Sequence, residues 1–282
     1  MKMKISLDAN IAGKDREKLF GLCEGLKIHN VVLPLPDLYE PDQDIVSESL
    51  LKENVRILKE GGLNVPVAMF PLFPSGVFLG EMPEKITGLC ESLQIVADAN
   101  IRTAVIFPWP ESSDDPQENN RRWDKFLDVY SRVVRTAEEA GIRIATHGHR
   151  IKKILLSDFH SYQKLFKAIP SAANGLTFCM GCLHFTGDDF EKCIEELAER
   201  IFLVHVRDLK IKGEEIEELP LGEGEVNISG AFKALKKIEY DGLLAIEHIP
   251  SIPWEGNRDL LAHVQAVGFI KAMLSRHCSY PL

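Results

Sequence analysis

The feature that most constrains this chain is an unbroken alternation of strand and helix. Short β-branched or apolar runs occupy residues 4–7, 31–35, 65–70, 103–107, 143–146, 176–180, 202–206 and 243–249. The segments between them carry apolar residues at i, i+3, i+4 and i+7. In 124–140 these are Phe126, Leu127, Tyr130, Val133, Val134 and Ala137, and 190–198 repeats the pattern. Gly61-Gly62 and Gly141 sit where two of these helices must close before the next strand. Strand–helix–strand units make parallel sheets. Eight of them in 282 residues favour an α/β fold, a single (β/α)8 TIM barrel spanning 1–282, over an open doubly wound sheet. No linker or composition shift divides the chain. An open dinucleotide-binding sheet would carry GxGxxG after its first strand; here that stretch reads Leu7-Asp8-Ala9-Asn10-Ile11-Ala12-Gly13.

Composition narrows the function. A hydrophobic fraction of 45% and a charged fraction of 27% are ordinary globular usage. The net charge of −9, with no basic block, disfavours a nucleic-acid partner. No run approaches the ~18 apolar residues of a membrane span, and no apolar stretch of signal-peptide length follows the N-terminal lysines. Six cysteines are too sparse for a disulfide framework, so the expected setting is cytoplasmic and reduced.

A barrel places its chemistry at the C-terminal ends of its strands. The fifth run ends in His147-Gly148-His149, the sixth reaches Cys179, the seventh carries His205 and Arg207, and the eighth reaches Glu247. Period-two alternation puts Leu203, His205 and Arg207 on one face and Phe202, Val204 and Val206 on the other; Leu243, Ala245 and Glu247 likewise share a face. Inward-facing imidazole, thiol and carboxylate groups are costly unless paired or coordinated. Imidazoles, a thiolate and a carboxylate from four successive strands suit one divalent transition metal. Each residue alone reads more simply as scaffold, but four in register point to a site.

Other residues carry weaker signals. Arg207 suits a substrate carboxylate or an ion pair with a nearby acid, and His149 suits acid–base work or a surface position. Glu223 lies in the Gly-bearing loop Leu221-Gly222-Glu223-Gly224-Glu225, and Trp109, Phe73 and Trp254 could stack on a sugar face or pack in loops. Asp114-Asp115-Pro116 reads as a solvated turn, and residues 71–80 as a lid or subunit contact in a homo-oligomer. Cys179-Met180-Gly181-Cys182 has CxxC spacing, but no second pair completes a zinc site and no helix is expected to begin there as a redox motif requires.

Three stretches carry a resemblance. Val204-His205-Val206-Arg207-Asp208, then Pro220-Leu221-Gly222-Glu223-Gly224-Glu225-Val226-Asn227, then Tyr240-Asp241-Gly242-Leu243-Leu244-Ala245-Ile246-Glu247 resemble the HxKD, PLGEGxVD and YDGxLxxE motifs of the xylose-isomerase-like TIM barrel superfamily. That superfamily includes sugar isomerases, epimerases and type 2 AP endonucleases. Its isomerases and epimerases usually carry Glu and Asp where this chain has His147 and Cys179. Asn174-Gly175-Leu176-Thr177-Phe178-Cys179 instead resembles the NGxTxC segment of mannonate dehydratases, whose metal site uses His, Cys and His. The resemblance implies His147, Cys179 and His205 as ligands, with Glu247 standing in for that group's Asp, and Mn2+ as the ion. Ligand softness admits Zn2+, Co2+ or Fe2+. His147-Gly148-His149-Arg150 replaces the HPDDP run of that group.

The expected activity is therefore a metal-dependent lyase dehydrating a mannonate-like aldonic acid. Glu247 serves as ligand and acid–base group, His149 and Asp208 are acid–base candidates, and Arg207, Trp109 and Glu223 are candidate substrate contacts. The alternatives are a sugar (phosphate) isomerase or epimerase, or a barrel that binds metal or sugar without turnover. A two-base epimerisation is disfavoured because only Glu247 of the required carboxylate pair is present. A multi-metal phosphodiesterase is disfavoured by too few His and acidic ligands and by the negative charge.

Overall fold

The computed structural model describes residues 3–41, 43–149, 153–213, 215–252 and 258–277. The strands are β1 (Lys4–Asp8), β2 (Asn30–Pro34), β3 (Asn64–Leu72), β4 (Thr103–Phe107), β5 (Arg143–Thr146), β6 (Asn174–Cys179), β7 (Ile201–Val206), β8 (Asp208–Lys212), β9 (Glu215–Leu219) and β10 (Leu243–Ile246). The helices are α1 (Arg16–Gly25), α2 (Glu48–Glu60), α3 (Pro83–Asp98), α4 (Pro116–Glu139), α5 (Phe159–Ala168), α6 (Met180–Thr186), α7 (Phe190–Glu196), α8 (Ile228–Lys237) and α9 (Arg258–His277). Eight strands close a barrel in the order β1-β10-β7-β6-β5-β4-β3-β2, and every neighbouring pair is parallel. This is the expected (β/α)8 barrel.

Two apolar layers hold it together. Val32, Val67, Val105, Ala145, Leu203, Leu243 and Ala245 fill the barrel interior, while the opposite strand faces pack against the helices in the larger core. Phe202 departs from the expected alternation. One extra β7 residue is accommodated where Leu176 pairs with Ile201 but Thr177 with Leu203, and the Phe202 ring joins the interior cluster beneath Arg143.

Other differences have local causes. Asp115 caps α4, its side chain accepting from the Gln117 N–H, with Pro116 at the first helical position; the expected turn is a helix start. Residues 71–80 contribute Val77 and Phe78 to the core, Phe78 lying edge-on to Phe126 in α4, so this stretch is largely packing rather than lid. The chain after β7 forms the antiparallel β8–β9 hairpin ahead of the Gly-bearing loop. The eighth barrel strand stops at Ile246, and His248 takes a left-handed φ of 50° just beyond Glu247. Cys23, Cys90, Cys179, Cys182 and Cys193 are buried and free. Among the described residues no helix is long and apolar enough to cross a membrane.

Candidate metal centre

Strand register builds the site. Ala145, Leu203 and Ala245 point into the barrel, so His147, His205 and Glu247, each two residues further on, lie one layer above them. Cys179 is the register partner of His205, and His205 that of Ala245. Backbone bonds hold the ends in place: the His147 N–H donates to the Ile106 carbonyl at 2.9 Å and the Glu247 N–H to the Val206 carbonyl at 3.2 Å. Strands β5, β6, β7 and β10, consecutive around the barrel, thus each deliver one donor.

The four donor atoms lie within 4.8 Å of one another. His205 Nδ1 is 3.0 Å and His147 Nε2 3.4 Å from Glu247 Oε1. The two imidazole nitrogens are 3.1 Å apart, and Cys179 Sγ is 3.2 Å from Glu247 Oε2. A tetrahedron with ligand distances of about 2.0–2.3 Å has edges of roughly 3.3–3.8 Å, close to this spacing. His147 Nδ1 donates to the Gly148 carbonyl at 2.6 Å, which turns Nε2 and its lone pair toward the centre. His147, Cys179 and His205 are buried, and the Glu247 side chain remains 16% exposed at the mouth.

The electrostatics show what the cluster lacks. Burial alone would lower both imidazole pKa values, but the Glu247 carboxylate outweighs it, pushing His147 up to about 10 and raising His205. Burial alone would raise Glu247, yet the two imidazoles hold it well below the ordinary carboxylate range. Burial pushes the Cys179 thiol up. Without an ion, two imidazole nitrogens aim at each other and must share protons with one carboxylate. A divalent cation reverses that arrangement, favouring thiolate and neutral imidazole, and the donor set fits one.

The remaining sequence candidates divide. Arg207 is buried and gripped by Glu218 of β9: Nε donates to Oε2 at 2.8 Å and Nη2 to Oε1. Its Nη1 lies 3.7 Å from Glu247 Oε2, so the guanidinium steadies the carboxylate of the four-donor cluster and is already paired on both sides. Asp208 is buried and accepts from the backbone N–H groups of Leu209, Gly222, Gly224 and Val226. Through these four bonds it shapes the loop after the hairpin; a Cβ on Gly224 would collide with its carboxylate, which explains that glycine. Glu223 is exposed in this loop. His149 lies outside the four-donor cluster, its ring 4.3 Å from that of Trp109 and 6.2 Å from that of His147. Phe73 is core, edge-on to Phe78. Trp254 and Arg150 fall outside the described residues.

Several supporting residues escaped sequence reasoning. Glu218, which no motif singles out, stands in the charged run Glu214-Glu215-Ile216-Glu217-Glu218. Tyr162 Oη accepts from the Gly148 N–H at 2.6 Å, pinning the turn between His147 and His149; its helical spacing marks it only as core. Asp8 ends β1 with its carboxylate accepting from the Asn10 N–H at 2.6 Å, and burial raises its pKa. A strand-end carboxyl is a signal in itself, overlooked when that stretch is read only for glycines.

A closed parallel barrel with a strand-end cluster of two imidazoles, a thiol and a carboxylate defines a class of barrels able to hold one divalent ion. Within that class, the xylose isomerase-like TIM barrel family model matches residues 32–271, and the chain belongs to this family. Among curated relatives, the mannonate dehydratase of Chromohalobacter salexigens is 35% identical over 123 residues, 39% of this chain and 32% of that one. The chain's matches span from 32% to 59% of the first relatives' own lengths. Among solved structures, mannonate dehydratase from Streptococcus suis superposes with a TM-score of 0.76 at 17% identity, covering 100% of this chain and 96% of that one. The IOLI protein with a bound zinc atom gives 0.74 at 16% identity, with 99% and 100% covered. These two likenesses concern the fold.

Proposed function

We propose that this protein is a divalent-metal-dependent carbohydrate enzyme, specifically a lyase that removes water from a mannonate-like aldonic acid. The observation that carries the reading is the donor set: His147, Cys179, His205 and Glu247, with one carboxylate among them. Epimerisation by two ligating carboxylates has only half its machinery here. The stretch similar to mannonate dehydratases supports dehydration instead. When bound, a divalent ion, Mn2+ first and Zn2+, Co2+ or Fe2+ as alternatives, supplies Lewis acidity toward the carboxylate and hydroxyl oxygens of a sugar acid.

The chain's own residues account for the remainder. Glu247 stays a ligand, held by Arg207 from behind. His149, seated on Trp109 beside the cluster, exchanges protons: the C2 proton is removed, the C3 hydroxyl leaves as water, and the enol becomes a 2-keto-3-deoxy acid. Trp109 covers one carbon face of the substrate. Asp208, committed to four backbone N–H groups, takes no part in proton transfer.

Elemental analysis of the purified protein beside Cys179→Ser, followed by incubation with mannonate and detection of 2-keto acid, tests this. One equivalent of metal, lost in the variant, with 2-keto acid formed is the expected result. An epimeric aldonic acid formed from mannonate without 2-keto acid, or a ketose formed from an aldose in a parallel incubation, would replace the lyase with an epimerase or isomerase. Stoichiometric metal with no turnover of sugars or sugar acids would make the barrel a binding module.

A further inference from the structure

The CxxC pair sits at a helix start after all. Cys179 ends β6 and is the N-cap of α6, with extended backbone (φ −91°, ψ 111°), and Cys182 is the third residue of that helix. A cysteine at the N-cap with a second three residues on is the arrangement of thiol–disulfide redox motifs. Residues three apart on a helix have Cβ atoms about 5–6 Å apart, and a disulfide needs roughly 3.5–4.5 Å. The N-cap position, free of helical backbone angles, can supply the small closure. Both cysteines are buried and free, and the other described cysteines, Cys23, Cys90 and Cys193, lie on other helices.

The intervening residue shows the pair is closely framed. A Cβ on Gly181 would come within 2.7 Å of Arg207 Cδ, so only glycine lets the arginine pass over this turn. Arg207 thereby places Nη1 3.9 Å from Cys182 Sγ and 3.7 Å from Glu247 Oε2, joining the second cysteine to the ligand cluster. Cys182 itself is not among the four donors.

We propose that Cys179 and Cys182 form a disulfide in the metal-free protein, making metal occupancy of the barrel redox-gated. The inference rests on the reading of Cys179 as a metal ligand. With a hydroperoxide as oxidant, the Cys182 sulfur, which has the Arg207 guanidinium beside it, attacks the peroxide oxygen, the O–O bond breaks, and a sulfenic acid and one water form. The Cys179 sulfur then displaces the second water, closing the S–S bond: two thiols and one hydrogen peroxide give one disulfide and two waters. The disulfide removes a thiolate from the ligand set, and a dithiol reductant restores it. A bound ion that occupies the Cys179 sulfur protects the pair.

The test uses the full chain, metal-free or loaded with redox-inert Zn2+. Each is treated with hydrogen peroxide, its remaining thiols are alkylated, and its peptides are weighed. The metal-free protein should give a Cys179–Cys182 cross-link with a loss of two hydrogens, bind Zn2+ at least tenfold more weakly, and recover both properties with dithiothreitol. The Zn2+-loaded protein should resist. Cys182→Ser should bind Zn2+ normally before oxidation and form no cross-link. Free or separately oxidised cysteines after peroxide treatment of the metal-free protein overturn the proposal. So does a cross-link that leaves Zn2+ affinity unchanged while Cys179→Ser abolishes it. Failure of the metal reading is distinct: Cys179→Ser would then keep full Zn2+ affinity whatever the peptides show.

Discussion

Replacing Glu218 by Ala should destabilise the protein and loosen its metal, though Glu218 is outside the four-donor cluster. The Arg207 side chain is 3% exposed and its carboxylate partner 23%. Removing one member of a buried pair costs about 3–5 kcal/mol, because the other charge is stranded away from water. Two features reduce that here: Glu218 is partly hydrated, and Glu247 Oε2 at 3.7 Å offers the guanidinium another anion. The expected loss is therefore about 2–3 kcal/mol, read as a fall in Tm of about 4–6 °C for a chain of this size. The freed guanidinium then competes for Glu247, and metal affinity should drop by about 10–100-fold, as for loss of other groups that orient a ligand. Urea unfolding of Glu218→Ala, Arg207→Met and the double variant, all metal-free, gives the magnitude. Arg207→Met in the Glu218→Ala background should recover at least about 1 kcal/mol, since the stranded charge is gone. A single-variant loss below about 0.5 kcal/mol, or a further loss in the double variant, would refute the argument that Glu218 holds a buried cation in place.

Three other expectations follow from the same geometry. His205→Ala or Glu247→Ala should abolish metal binding in elemental analysis while far-UV circular dichroism stays near that of the parent, because both side chains lie above the barrel's packed interior layer. Asp208→Ala should cost about 2–4 kcal/mol in urea unfolding, since it leaves four backbone N–H groups without their acceptor. In the metal-free protein, raised His147 stabilises fully below its ordinary 6.5 and loses that contribution as pH climbs through about 10, whereas lowered Glu247 stabilises above its ordinary 4.5 and loses its contribution in acid. The cluster's contribution should thus be greatest between about 4.5 and 6.5 and decline on both sides. Metal affinity by calorimetry should instead rise with pH over the alkaline limb, with proton release on binding, because the ligands must be deprotonated.

What the sequence revealed, and what it concealed, divides along a physical line. His205 and Glu247 were legible because strand alternation is local: two residues beyond an interior Leu or Ala, a side chain points the same way whatever the rest of the molecule does. His147 and Cys179 followed from strand order, which the helix–strand alternation supplied. The partner of Arg207 was not legible, because Leu209, Ile211 and Ile216 mark the inner face of the hairpin, while the register that sets Glu218 opposite Leu209, eleven residues after Arg207, is fixed only across the two strands Asp208–Lys212 and Glu215–Leu219. The start of α6 was hidden for a related reason. Cys179 caps it without a side-chain hydrogen bond, and Met180-Gly181-Cys182-Leu183 is buried throughout, so neither a capping residue nor an amphipathic stripe announces a helix. Both failures lie just past a member of the four-donor cluster, in the connections after β6 and β7. There the chain leaves the periodic strand, and contacts between segments decide which charge faces which. The barrel strands present the donors; these two connections set the charge and the second thiol beside them. Exchanging the β8–β9 hairpin or the first turn of α6 should therefore change metal retention and redox response while leaving the barrel itself intact.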